Sequence, residues 1–366
     1  MNSNFYQHIS RNNSCYIIAE AGTSHNGNIK EAQKLIDTAQ QAGADCVKFQ
    51  IVYADEIIHQ NTGLVDLPGG KVSLYQVFKN LEQQPEFFAE CKNYAESKGV
   101  DFLASVFGKK SLSEYLSLKP DAVKIASPEL NHIPLLKDIS SANLPVIVST
   151  GVSKLKDIDE AVALLPEETV LLHCITSYPA PEEEYNLRLI ASLGSIFGLP
   201  VGISDHSKDP LLVPAVSTLL GSCILEKHIT LSHAGAGLDD PIALQPEDFR
   251  RMTEAVRKIQ SMPYNDAIDY ITQFYERKRI ENVLGDGVKR LAKSEAENYG
   301  LTNRSIHAKK EIHQGEVLSE ENIAILRTEK QLLPGLHPRY YSRILGSHAK
   351  TFISSGQGIQ WKDIIS

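Results

Sequence analysis

The chain has 366 residues, of which 42% are hydrophobic and 22% charged, and a formal net charge of −8. That length fits two domains, or one barrel with an appendage, at roughly 100–200 residues per domain. The composition excludes disordered, collagen-like and low-complexity chains, and the charge argues against nonspecific binding to nucleic acid or to an anionic membrane.

The opening run MNSNFYQHISRNNS is polar and lacks an apolar signal core. No stretch of 18 uncharged apolar residues follows it, so neither a leader nor a transmembrane helix is expected. The five cysteines (15, 46, 91, 174 and 223) are odd in number and form no CxxC pair. Four of them sit in apolar runs and read as small buried residues, thiols in a reducing compartment, and the cytoplasm is the expected location.

Eight short apolar runs follow in order: CYIIAEAG (15–22), CVKFQ (46–50), DFLASVF (101–107), AVKIAS (122–127), PVIVSTG (145–151), VLLHCIT (170–176), PVGISDH (200–206) and CILEKHIT (223–230). Runs of this kind, bounded by turn residues, read as buried parallel strands. Helical periodicity separates most of them, at 30–43, 85–99 and 154–165 for example, with Gly43 and Gly99 placed as C-terminal caps and Pro85 in a first turn. The pattern predicts an α/β fold, a (β/α)8 TIM barrel over residues 1–262, with a doubly wound sheet as the runner-up. Long connections at 51–84 and 231–245 lie at the strands' C-terminal ends, where barrel enzymes keep their sites. Residues 263–303 read as a linker and 304–366 as a small β-rich unit. From Leu301 onward the net charge is +3, so the first 300 residues carry −11.

Polar residues gather at the strand ends. Lys48 and Lys124, with the hydroxyls of Ser105, Ser127 and Ser149, suit a small phosphorylated carboxylate. A barrel-interior salt bridge such as Lys48 with Glu20, or a Schiff-base lysine, would use the same residues. His206 and His228 end adjacent strands and can approach one divalent ion, or can serve as hydrogen-bonded mouth residues. His173 reads as a core histidine and His25 as part of a tight SHNG turn. Of Glu20 and Glu129, one would work at a reacting carbon and the other would hold a hydroxylated substrate.

The runs AEAGTSHNG (19–27), VKFQ (47–50), VKIASPEL (123–130), STG (149–151), HCITSYPAP (173–181), GISDH (202–206) and EKHIT (226–230) resemble the sialic acid (N-acetylneuraminate) synthase family. NRSIHAKKEIHQGEVLSEENI and GQGIQWKDI resemble its antifreeze-like (SAF) C-terminal domain. The resemblance implies condensation of phosphoenolpyruvate with an N-acetylated amino-hexose, giving a nine-carbon 2-keto acid and phosphate. It implies that Lys48, Ser105, Lys124, Ser127, Ser149 and Ser204 hold phosphoenolpyruvate, and that His206 and His228 bind Mn2+ or Mg2+. Glu20 would act at the reacting carbon. Gln50, Glu129, Tyr178 and Asp239, with Asp240 as the competing choice, would contact the sugar. Arg304 would enter the barrel of a partner subunit in a domain-swapped homodimer. The chain has EAGTSH where the family often has EIGxNH, and Ser105 where it often has threonine. Gly70 stands where a loop asparagine is common, with Asn61 as its candidate replacement. The sugar therefore stays open among N-acetylmannosamine and the precursors of legionaminic and pseudaminic acids.

Overall fold

A computed structural model describes residues 3–11, 14–67, 70–235 and 237–365. The strands β1 (Tyr16–Gly22), β2 (Cys46–Gln50), β3 (Asp101–Ser105), β4 (Val123–Ile125), β5 (Val146–Ser149), β6 (Thr169–Cys174), β7 (Val201–Asp205) and β8 (Ile224–His228) correspond to the eight predicted runs. They pair in parallel, each with the next, and β8 returns to β1 to close the barrel. The doubly wound alternative is thereby excluded.

Side chains alternate across each strand, and that alternation builds the interior. Ile18, Leu103, Ile147, Leu172 and Ile224 form an apolar floor. The helix Ser3–Arg11, not foreseen in the sequence, plugs this end with Ile9, and Phe5 packs edge-on against Tyr16. Two residues further along each strand, the inward positions become Glu20, Lys48, Ser105, Lys124, Ser149, Ser204 and Glu226. The opposite parity, Ile17, Val47, Phe102, Val123, Val148, Leu171, Ile203 and Leu225 among others, packs against the surrounding helices. Burying each such large apolar side chain stabilises the fold by about 1.5–3 kcal/mol.

The helix Ile29–Gln41 shows how local sequence fixes an element. Asn28 accepts hydrogen bonds from Lys30 N and Glu31 N, which satisfies orphan donors at the start. Ala32, Leu35, Ile36 and Ala39 form its buried face. Gly43 ends the turn at positive φ, and Gly99 does the same after Pro85–Ser97.

The 51–84 connection contains the hairpin Leu64–Leu67 with Gly70–Ser73 and the helix Leu74–Leu81. The predicted linker packs on the barrel: its helices Tyr264–Thr272 and Arg277–Leu284 place Ala267, Ile271 and Val283 in the barrel's hydrophobic core. The C-terminal unit has its own core around Ile306, Ile312, Leu318 and Ile353. Two antiparallel pairs, β9 (Ser305–Ala308) with β10 (Ile323–Leu326) and β11 (His348–Ala349) with β12 (Ile364–Ile365), supply its sheets. All five cysteines are free thiols, four of them buried. Among the described residues no helix is long and apolar enough to cross a membrane.

Candidate active site

The inward polar layer and the loops above it line one cavity at the C-terminal end of the barrel. Glu20, Lys48, Gln50, Ser105, Lys124, Ser127, Ser149, Tyr178, Ser204, His206 and His228, all predicted, meet there, together with Cys174 and Glu226. The open space is narrow, about 50 Å³. Tyr178 leans over it, its ring stacked on His206 with centroids 4.3 Å apart. A larger cavity of about 700 Å³ lies under the linker, against His173, Lys289 and Glu295. The chemistry converges on the narrow one.

The charges in this cavity partner one another. Lys48 Nζ lies 2.6 Å from Glu20 Oε2 and 3.5 Å from Glu226 Oε2, and donates to Ser105 Oγ at 3.1 Å. Lys124 Nζ donates to Ser149 Oγ at 2.7 Å and lies 3.7 Å from Glu226 Oε1. Ser204 Oγ donates to the same carboxylate at 2.8 Å. Burial pulls Lys48 down, but Glu20 and Glu226 hold its ammonium above the ordinary range. Burial also pulls Lys124 down, and there it prevails. Burial would raise Glu226, but Lys124 and Lys48 hold its carboxyl down to about 2. The sequence reading expected a ligand to balance two lysines. Two carboxylates already do so, Glu20 and a Glu226 to which no role had been given. An anion therefore enters a nearly neutral cluster, and a cation arriving with it would preserve that balance.

The histidine pair stands at the rim. The rings of His206 and His228 have centroids 5.5 Å apart. His206 Nδ1 donates to the Ile175 carbonyl at 2.7 Å, which leaves Nε2, 3.5 Å from Ser204 Oγ, as the atom that a metal ion would use. Burial lowers His206, but Cys174, whose sulfur is 3.8 Å from Nδ1, and the Ile175 carbonyl outweigh it and raise the ring to about 9. His228 is lowered by burial, and its Nδ1 is 3.6 Å from Asp239 Oδ2. Among the described residues no cluster of three or more His, Cys, Asp or Glu side chains is arranged for a metal. Two imidazoles alone would leave a divalent ion to draw its other ligands from substrate and water.

Asp239 faces the site, whereas buried Asp240 shapes the 231–245 loop by accepting from Ser24 Oγ at 2.6 Å and Gly237 N at 2.7 Å. Gln50 Nε2 donates to Glu20 Oε1 at 2.7 Å. Asn61 is no substitute for the missing loop asparagine, because it is exposed and donates to the Ser355 carbonyl of the C-terminal unit. Gly70 lies exposed in the hairpin with open space around it. Parity removes others from the mouth: Lys227 and Asp205 form an outward buried pair at 2.6 Å. His173 also points outward, bonded to the Tyr185 carbonyl and lowered by burial to about 3. His25 accepts from Gly27 N at 3.0 Å inside its turn.

Glu129 and Arg304 meet each other. The buried Glu129 carboxylate pairs with Arg304 and with Arg327, which the sequence reading missed. Arg304 also donates to the carbonyls of Glu56, Ile57, Phe107 and Ile325. These contacts form within one chain, whereas the expectation had placed Arg304 in a partner's barrel.

Comparison with known proteins places the chain in a family. The model of the NeuB family matches residues 35–266, and that of the SAF domain matches residues 303–365. The spore coat polysaccharide biosynthesis protein SpsE of Bacillus subtilis is 36% identical over 357 residues, covering 96% of this chain and 93% of that protein. Its crystal structure superposes with a TM-score of 0.81 over 96% of each chain. The N,N'-diacetyllegionaminic acid synthase of Legionella pneumophila is 31% identical, covering 96% and 94% of the two chains. The N-acetylneuraminic acid synthetase structure from Leptospira borgpetersenii, in complex with citrate, gives a TM-score of 0.62 at 30% identity over 72% of this chain and 93% of that one.

Proposed function

The chain belongs to the NeuB family, and from that premise we propose that it is a nonulosonate synthase. It condenses phosphoenolpyruvate with an N-acetylated amino-hexose, giving a nine-carbon 2-keto sugar acid and phosphate. The observation that carries this reading is the stacking of two layers in one mouth. Lys48, Lys124 and four serine hydroxyls lie below, and the His206–His228 pair with Gln50, Tyr178 and Asp239 lies above. The lower layer suits a phosphorylated carboxylate, and the upper one a polyhydroxylated aldehyde. Relatives named as legionaminic acid and N-acetylneuraminic acid synthases support the same substrate class.

His206 and His228 would hold a divalent ion, Mn2+ or Mg2+, which when bound polarises the sugar's aldehyde oxygen. The lysines and serines orient phosphoenolpyruvate so that its C3 forms a bond to the aldehyde carbon, whose oxygen becomes a hydroxyl. Water adds at C2, giving a proton to Glu20 that balances the one gained by the new hydroxyl. The C2–O bond to phosphate then breaks, and the C2 hydroxyl becomes the ketone as its proton leaves with phosphate. Gln50 keeps Glu20 turned toward this centre. Tyr178 has to lift from His206 to admit both substrates. Exchange of the C-terminal unit between two copies would make the Glu129–Arg304 contact across chains, so the proposal includes a domain-swapped homodimer.

The test is phosphate release that requires phosphoenolpyruvate, a sugar and a divalent ion together. N-acetylmannosamine, its 6-phosphate and diacetamido sugars are screened in turn. Activity undiminished after thorough chelation would remove the metal. Glu20→Gln should still fold, with a lower Tm because Lys48 loses its nearest carboxylate, and lose turnover by about 10²–10⁴-fold. The lowered ammonium of Lys124 favours one second reading, a Schiff-base aldolase acting on pyruvate. Borohydride trapping of a pyruvate adduct on Lys124 would replace the first reading with it.

A further inference from the structure

Beside the mouth, three side chains from one short stretch of the linker grip the backbone of the turn after β5. Lys289 Nζ donates to the Thr150 carbonyl at 3.1 Å. Glu295, 1% exposed, accepts through Oε1 from Val152 N at 2.7 Å and from Thr176 N at 2.6 Å. Asn303 Nδ2 donates to the Val152 carbonyl at 3.2 Å.

The gripped turn is one that would not hold its shape unaided. Val152 is fully buried at φ +46°, in the left-handed region that a β-branched residue adopts only when its surroundings force it. Gly151 has no room for a side chain, because a Cβ there would lie 2.1 Å from Thr176 Oγ1 and 2.9 Å from Ser127 Oγ. Gly151 N donates to Ser127 Oγ at 3.0 Å. The turn thus fixes the Ser127 side chain, whose hydroxyl also bonds Cys174 at the cavity wall. Ser149, one residue before the turn, is already oriented by Lys124.

We propose that residues 289–303 clamp the Thr150–Val152 turn, with Glu295 as the positioning residue that sets Ser127 and Ser149 for the phosphate of phosphoenolpyruvate. The clamp touches no substrate. It makes the linker a working part of the anion site, so that the segment leading to the C-terminal unit and the phosphate pocket are shaped together. The proposal rests on the phosphoenolpyruvate reading above.

Titration calorimetry of phosphoenolpyruvate into the full-length wild type, Glu295→Ala and Glu295→Gln tests it, alongside KM for both substrates. Both amide donors bond to one oxygen of Glu295, and the glutamine amide oxygen can accept them in the same way. Glu295→Ala should weaken phosphoenolpyruvate binding by about 10–100-fold and leave the sugar KM within about twofold. Glu295→Gln should restore binding to within about threefold of wild type. Wild-type affinity in Glu295→Ala, an equal rise in both KM values, or failure of the glutamine to rescue would each overturn the clamp. If Glu295→Ala does not fold, Lys289→Met is read by the same titration. A loss of about five- to tenfold is then expected, and no loss overturns the proposal. A wild type that binds no phosphoenolpyruvate would sink the substrate reading instead. Amide hydrogen exchange at Val152 and Thr176 then decides the clamp, with faster exchange in the weakened variant expected and unchanged protection overturning it.

Discussion

Glu226 shows what one buried residue does to a site. It stands between Lys48 and Lys124 and accepts from Ser204, and its carboxyl is held down to about 2 by the two ammonium groups. Glu226→Gln would leave Glu20 as the single carboxylate facing two buried ammonium groups. Its expected cost without ligand is about 3 kcal/mol. A phosphorylated carboxylate would restore the balance, so phosphoenolpyruvate should raise the variant's Tm more than that of wild type. Equal shifts in thermal denaturation would show that Glu226 does not neutralise the pair. This residue was visible in the sequence, in EKHIT, but without a role. The period of two along a strand puts Glu226 on the same face as His228 and turns Lys227 away to Asp205. Applied to every strand, that rule would have picked out Glu226 and discarded Lys227. Lys48, Lys124 and Ser149 were legible as polar residues gathered at the ends of apolar runs.

At the scale of elements, one buried carboxylate ties the C-terminal unit to the barrel through two arginines. Glu129 takes Arg304 from the start of β9 and Arg327 from just after β10, and these arginines and the Ile57 carbonyl form a seam between the two cores. Burial raises Glu129, yet the two guanidinium groups hold it below the usual carboxylate range. Glu129→Ala would strand two buried cations, at a cost of about 3–5 kcal/mol. The C-terminal unit should then loosen, with trypsin cutting near residues 289–304 well before the barrel unfolds. If Glu129 only touches sugar, the variant will resist trypsin like wild type and show a raised sugar KM alone. The barrel and the tail were legible because each carries a strong local signal, apolar runs in one and a motif in the other. The docking and the linker clamp were not. Their partners are largely backbone groups, such as the Phe107 carbonyl and Val152 N, which leave no mark on residue type.

Over the whole molecule, the uneven charge has a structural use. Basic groups of the tail settle on acids of the body, Arg304 and Arg327 on Glu129 and Arg339 on Glu160 at 2.5 Å. The more consequential titration is that of buried histidines in both cores. Burial lowers His25 to about 4, His173 to about 3 and His307 to about 4. His307 is further fixed by Ser305 Oγ at 2.8 Å and the Gly356 carbonyl at 3.0 Å. In an unfolded chain these rings titrate near pH 6.5, at about the ordinary value. Between about pH 6.5 and 4 the unfolded state therefore binds more protons than the folded one. Their contribution is fully present above about pH 6.5 and is lost as pH falls through that window. The slope is about 1.4 kcal/mol per pH unit for each histidine, or roughly 4 kcal/mol per unit for the three together. Against a total stability of about 5–15 kcal/mol, that loss is large. Calorimetry should show Tm nearly level from pH 8 to 7 and falling steeply from 6.5 to 5. His307→Gln should lower Tm at neutral pH and reduce the acid slope by about 1.4 kcal/mol per pH unit. A Tm that stays flat down to pH 5 would mean that these rings take up protons without unfolding the cores around them.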